Sequence, residues 1–237
     1  MSRSSSLRLY VISRLLLAPL MIWTITTVVF LLMRATPGDP IDALLGPRAP
    51  EAAKAVMRAQ LGLDQSLPKQ YLDYLGQLLR LDLGSSLASQ GQTVWQIIGD
   101  HFPATVELTL CGMVIAAVVG LTVGSIAASQ PNSVFDAGGR VFGIVTYAVP
   151  MYWFGMILQL IFAVQLGWFP IGTRFPLSQL APTGPTGLYL LDSLLQGNLA
   201  QFGTTVYYLA LPSLTLGVLI SGVFERIVRV NLQRSGL

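Results

Sequence analysis

The 237-residue chain is 53% hydrophobic and only 11% charged, where a soluble domain carries about 25% charged residues. That balance excludes an ordinary soluble domain, and a net charge of +3 without any basic block excludes a nucleic-acid-binding surface. A single cysteine, Cys111, and a single histidine, His101, exclude an internal disulfide and a two-histidine metal site.

Four stretches are long and apolar enough to cross a bilayer as helices, which takes roughly 20 residues. The first covers about residues 15–33; Arg3, Arg8 and Arg14 precede it and Arg34 closes it. It exceeds the apolar core of a signal peptide and no small-x-small cleavage site follows, so an uncleaved anchor is expected. The next segment, about 35–103, carries most of the acidic residues. In it, Pro50 and Gly62 bracket one expected helix, and a second is expected from Pro68, with Tyr71, Leu72, Leu75, Leu78 and Leu79 on one face.

The second span is expected at about 104–128. Gly112, Ala116, Gly120, Gly124 and Ala128 recur every four residues along it, a small-residue seam that admits close approach of another helix. General helix packing explains such a seam more readily than contact with a pore partner. The third span, about 141–166, contains Pro150, expected to kink it; Tyr147, Tyr152 and Gln159 nearby are candidate pathway-lining residues. A Pro/Gly-rich loop follows, with one short helix expected near 189–195 and an interfacial aromatic anchor at Trp168 and Phe169. The fourth span, about 206–224, repeats the proline device at Pro212 and leads into a basic tail, 225–237.

The arginines set the orientation. Arg3, Arg8, Arg14, Arg140, Arg226, Arg229 and Arg234 fall on one side of the spans and Arg174 on the other, which predicts cytoplasmic termini and an extracytoplasmic 35–103 segment. Glu107, Asp136 and Glu225 are expected at span ends or in loops, which disfavours a proton-coupled transporter. The chain has neither an H-E-x-x-H motif nor a phosphate-binding G-x-x-x-x-G-K-[ST] loop. No paired acid and base or activated nucleophile lies within a span, so no catalytic, cofactor-binding or metal-binding residue is assigned.

Specific strings accumulate in order: "RATPGDP", "QLGLDQSLPKQYLDYL", "LRLDLGSSL", "FPATVELTL", "VFDAGGR", "VPMYWFG", "LGWFPIG" and "LPSLTLG". Together they resemble the inner-membrane permease subunits of bacterial binding-protein-dependent ABC importers, in the dipeptide/oligopeptide/nickel class and of the dipeptide permease B type. The resemblance implies an all-α integral membrane protein on a six-helix plan, with a helical extracytoplasmic segment after the first span. Its parts would be 1–34 (cytoplasmic tail and first span), 35–103 (extracytoplasmic) and 104–237 (an incomplete permease core).

The implied role is part of a translocation pathway for peptides or a similar small solute. The implied partners are a second permease, two ATPase subunits that carry ATP and Mg, an extracytoplasmic binding protein and the lipid bilayer, but no nucleic acid. Pro37, Gly38, Asp39 and Pro40, then Asp82, Gly84 and Ser86, and Asp136 match family motifs read as structural. Arg226 and Arg229 match the approach to the ATPase-coupling loop. On that plan the coupling segment and two further spans would follow "RIVRVNLQ", so the chain is expected to be C-terminally truncated. A different class of function, a truncated non-transporting membrane scaffold, is the alternative.

Overall fold

The computed structural model describes residues 3–86, 89 and 91–235. Leu87, which ends the "LRLDLGSSL" string, the final Gly236 and Leu237, and the side chains of Arg3 and Arg8 lie outside the described residues. The chain divides into two compact units, the first reaching to Gln96 and the second running from Ile97. Among the described residues the regular structure is helical, and the one β-bridge joins Ser85 to Thr93.

The first unit begins with α1 (Arg3–Ala35), whose Ser13–Ala35 portion is long and apolar enough to cross a membrane. Three short helices follow: α2 (Pro40–Leu45), α3 (Glu51–Gln60) and α4 (Leu67–Leu79). The "PGDP" turn makes the first connection. Gly38 takes a φ of +124°, which a β-carbon would oppose. Asp39 caps α2 by accepting the Ile41 N–H at 2.9 Å, and Pro40 occupies the first helical position, where a missing N–H costs nothing. Gly62, at φ +65°, ends α3, and Leu63 N–H donates to the Arg58 carbonyl at 2.9 Å, closing a Schellman turn.

The face of α4 that packs matches the expected one at Tyr71 and at the half-buried Leu75 and Leu78, but adds Tyr74 and leaves out Leu72 and Leu79. Phe30 of α1 meets the rings of Tyr71 and Tyr74, and Tyr71 Oη lies 2.6 Å from Thr27 Oγ1, whereas Leu72 and Leu79 are exposed. The aromatic contact one turn along from Tyr71 outweighs the aliphatic stripe. The "DLG-S" string forms a compact turn: Asp82 accepts the Gly84 N–H at 3.0 Å, and Trp95 Nε1 donates to the Leu81 carbonyl.

Asp39 also pairs with Arg58. That guanidinium, and then the Ile41 N–H, hold its carboxyl below the ordinary value of 3.8. A lowered folded value means the stabilisation is complete above 3.8 and disappears as pH falls through the lower folded value. The protection of amides in α2 and α3, with the intrinsic pH dependence of exchange divided out, should therefore fall on acidification through that window in the native chain. It should fall less in Asp39→Asn, where the Lys54 pairs with Asp42 and Glu51 remain; identical protection profiles would refute the coupling.

The second unit is built on α5 (Val94–Ser129, its first turn belonging to the first unit), α6 (Val134–Ala148), α7 (Met151–Leu158, continued as a π-helical turn over Gln159–Gln165), α8 (Tyr189–Leu195) and α9 (Leu199–Ser235). Three expected boundaries are corrected here. The expected single third span is two helices bent by 100°. Val149 and Pro150 are both extended, at ψ 124° and 129°, because a proline disfavours helix in the residue before it. The "VFDAGGR" stretch is the start of α6, not a loop, with Ser133 Oγ capping it through the Phe135 and Asp136 N–H groups. The fourth span and the expected tail are one continuous helix that passes through Pro212. Among the described residues there are thus three helices long and apolar enough to cross a membrane, or four if the bent pair counts as one span.

The seam of α5 is used inside the chain. A β-carbon on Gly112 would lie 2.7 Å from Leu216, one on Gly120 2.4 Å from Phe224 Cβ and 2.6 Å from the Ser221 carbonyl, and one on Gly124 2.9 Å from the Glu225 carbonyl. The α5 and α9 backbones therefore approach as only small residues permit. Gly120→Ala should cost about 1–3 kcal/mol, as overpacking does, read as a lowered unfolding temperature in detergent. Gly203→Ala, with open space around it, is the control that should change little.

Candidate functional site

The buried charged side chains of the second unit fall into two clusters. Glu107, on α5, is 3% exposed at its side chain. Its Oε2 accepts from Arg174 Nη2 at 2.7 Å and Nε at 3.2 Å, and its Oε1 accepts the Leu190 N–H at 2.6 Å. The same guanidinium donates to the Gly187 carbonyl at 2.8 Å and lies 3.7 Å over the Tyr189 ring. One arginine thus fastens the loop before α8, and the start of α8, to α5. Beside it Asp192, fully buried, accepts from the Thr186 hydroxyl at 2.8 Å, with Gly184 packed where no β-carbon fits.

The second cluster joins α5, α6 and α9. Arg229 donates from Nε to Glu225 Oε1 at 2.7 Å and reaches Asp136 Oδ1 at 3.7 Å. Asp136 is also paired with Arg140 at 3.0 Å and accepts from Gln233 at 3.4 Å and from the Asn132 N–H at 3.2 Å. Glu225 is 1% exposed, and its Oε2 has no hydrogen-bond partner. Glycines make room for it: a β-carbon on Gly143 would be 2.9 Å from Oε2, and one on Gly139 3.1 Å from Oε1. The expectation that Glu107, Asp136 and Glu225 sit at span ends or in loops is corrected in part. All three lie within helices, are buried, and are ion-paired. Even so, Glu107 and Gly124, which touches Glu225, are separated on α5 by about 26 Å at 1.5 Å per residue, close to the roughly 30 Å of a hydrocarbon core. The two clusters therefore bracket the apolar part of α5.

Between them lies a cleft of about 410 Å³, whose lining includes Met151, Gln159, Thr173, Tyr208, Pro212 and Thr215. The half-buried Gln159 side chain makes no hydrogen bond to protein, so its amide is available to the cleft. Pro212 lacks the N–H that would bond the Tyr208 carbonyl one turn back in α9. The Gln159 amide thus shares the lining with Thr173, Tyr208 and Thr215 and with apolar side chains.

The candidate lining residues are not brought together. Tyr147 is 90% exposed and borders a separate groove with Arg226, while Tyr152 is 73% exposed and lines neither cavity. Pro150 stands at the 100° bend. Arg226 is exposed, whereas Arg229, three residues on, is spent on internal ion pairs. The buried clusters escaped sequence reading. The i,i+4 spacings Asp136–Arg140 and Glu225–Arg229 were available signals; the Glu107–Arg174 pair, 67 residues apart, offered none.

Long apolar helices, a glycine-seamed α5–α9 pair and, within the second unit, buried charges paired at the two ends of the apolar part of α5 define a multi-pass membrane protein. The chain belongs to the binding-protein-dependent transport system inner-membrane components: residues 7–109 match the model for that family's N-terminal part, and residues 120–235 match the model for the inner-membrane component itself. It is 39% identical to the di/tripeptide transport system permease protein DppB of Pseudomonas aeruginosa, over 86% of this chain and 61% of the relative. It is 31% identical to the dipeptide transport system permease protein DppB of Alkalihalophilus pseudofirmus, over 94% and 66%. It is 35% identical to the probable D,D-dipeptide transport system permease protein DdpB of Escherichia coli, over 86% and 60%. The chain spans 60–66% of the length of these relatives.

Proposed function

We propose that the chain is a permease subunit of a peptide importer in the bacterial inner membrane and contributes to the pathway through which short peptides cross. The carrying observation is the pair of consecutive family matches, over 7–109 and 120–235, together with relatives named as dipeptide or tripeptide permeases. A truncated scaffold role draws no support from these comparisons. In this reading the work of ATP hydrolysis, with its Mg, belongs to two partner ATPases. A second permease completes the pathway, a binding protein delivers the peptide, and no cofactor is held on this chain. The arginine bias supports cytoplasmic termini.

The Gln159 cleft is the part of the chain best suited to a peptide. A peptide bond presents one donor and one acceptor, and the cleft offers the Gln159 side-chain amide, which can both donate and accept. Gln159→Leu should lower uptake of a labelled dipeptide by about fivefold, the worth of about one hydrogen bond, without altering the chain's abundance in membranes; unchanged uptake removes Gln159 from the pathway. The function as a whole is tested by an amino-terminally tagged chain expressed from its own locus. It should co-purify with a second permease and an ATPase, and recovery of the chain without either contradicts the proposal.

A further inference from the structure

In the first unit a cleft of about 540 Å³ opens beside the C-terminal end of α1 and is lined by Met33, Arg34, Arg58, Leu63, Leu67 and Gln70, with Asp39 at one side. Two guanidinium groups share it. Arg34 is oriented on both sides: its Nε donates to Gln70 Oε1 at 2.8 Å, and its Cζ lies 5.2 Å over the Phe30 ring. Gln70 is itself fixed, donating from Nε2 to the Gln65 carbonyl at 2.7 Å and the Leu63 carbonyl at 3.3 Å. No described residue accepts from the Nη groups of Arg34. Arg58 gives one Nη to Asp39, and no other described residue accepts from its guanidinium. Arg58 is matched by Asp39 and also feels Asp42 and Glu51, so Arg34, whose one side-chain partner among the described residues is the neutral Gln70, carries the positive charge of the cleft lining that no lining carboxylate pairs.

The position of this cleft matters as much as its charge. Arg34 is the first charged residue after the apolar stretch of α1 that starts beyond Arg14, in the portion fit to cross a membrane, so its guanidinium stands at the level of the lipid headgroups. Met33, Leu63 and Leu67 give the same cleft an apolar side. We propose that this cleft is a binding site for the headgroup of an anionic phospholipid, its phosphodiester held by Arg34 and Arg58 and its glycerol end resting on Met33, Leu63 and Leu67. Guanidinium forks match phosphate oxygens in geometry as well as charge. An excess positive charge selects a net-negative headgroup over a zwitterionic one, whose own cation already satisfies the phosphate.

Native mass spectrometry of the chain in mild detergent, titrated with phosphatidylglycerol or phosphatidylcholine, tests the site. One phosphatidylglycerol should be retained about tenfold more strongly than phosphatidylcholine, and Arg34→Gln should weaken that retention about tenfold, as loss of a charge-assisted pair does. Arg14→Gln, at the other end of the apolar stretch, should leave it unchanged. Equal retention of the two lipids, undiminished retention in Arg34→Gln, or an equal loss in Arg14→Gln overturns the proposal. If Arg34→Gln does not fold, Arg34→Lys decides, because it keeps the charge without the planar fork: weaker retention supports the site and unchanged retention overturns it. Inorganic phosphate is the second arm. Thermal stabilisation by phosphate equal to that by phosphatidylglycerol would assign the cleft to a free anion and overturn the lipid assignment.

Discussion

Arg229→Gln is expected to destabilise the chain by about 3–5 kcal/mol, the scale for removing one partner of a buried ion pair. Its effect falls on Glu225. Asp136 retains Arg140 at 3.0 Å and the Asn132 N–H, but Glu225 has no other cation, and its Oε2 is already without a hydrogen bond. A carboxylate left without a cation in a glycine-walled site is an uncompensated buried charge, and water drawn in to solvate it disturbs the closest approach of α5, α6 and α9. The double variant Glu225→Gln/Arg229→Gln should recover much of the loss, because it removes the orphaned charge as well as its partner. Equilibrium unfolding in detergent reads the cycle. A single Arg229→Gln variant within about 0.5 kcal/mol of the native chain, the usual range of a surface change, would show that the cluster holds nothing together.

Arg174→Leu is expected to cost a similar amount, about 3–5 kcal/mol, at the other end of α5. Glu107 would keep only the Leu190 N–H of its three bonds. The loop would also lose its tie at the Gly187 carbonyl and the packing of the guanidinium on Tyr189. Arg174→Lys separates charge from geometry, since an ammonium can neither fork across one carboxylate oxygen from two nitrogens nor stack on the ring in the same way. The lysine variant should fall between the native chain and Arg174→Leu, and limited proteolysis between α7 and α8 should follow the same order. A lysine variant as stable as the native chain would reduce the site to simple charge neutralisation.

These two clusters mark where sequence reading stopped. The membrane class, the seam on α5 and the helices between Pro50 and Gly62 and at 189–195 follow from composition, small-residue spacing and helix punctuation. The same rules point to Pro150 as a disturbance but not to a 100° break, which arises because Val149 and Pro150 are extended in succession. A third span expected at about 141–166 joins the apolar end of α6 to α7 and leaves Asp136 outside it, whereas α6 starts at Val134 and two of its glycines, Gly139 and Gly143, clear space for Glu225. Arg226 and Arg229 looked equivalent as basic residues after a span. Helical geometry points one outward and the other onto Glu225, a distinction that depends on where α6 lies. Pairings such as Glu107 with Arg174 are long-range contacts without a periodic trace, so only the fold exposes them.

Uptake of a labelled dipeptide by cells lacking this chain's gene tests the central proposal most directly. Deletion should abolish the uptake, and restoring the gene at its own locus should return it. The restored uptake should fall when cellular ATP is depleted and persist when the proton gradient alone is collapsed, because Glu107, Asp136 and Glu225 are each ion-paired with an arginine and Asp192 accepts from Thr186, which disfavours a proton relay. Uptake unaffected by the deletion, or uptake that follows the proton gradient while ATP is held constant, would contradict the account.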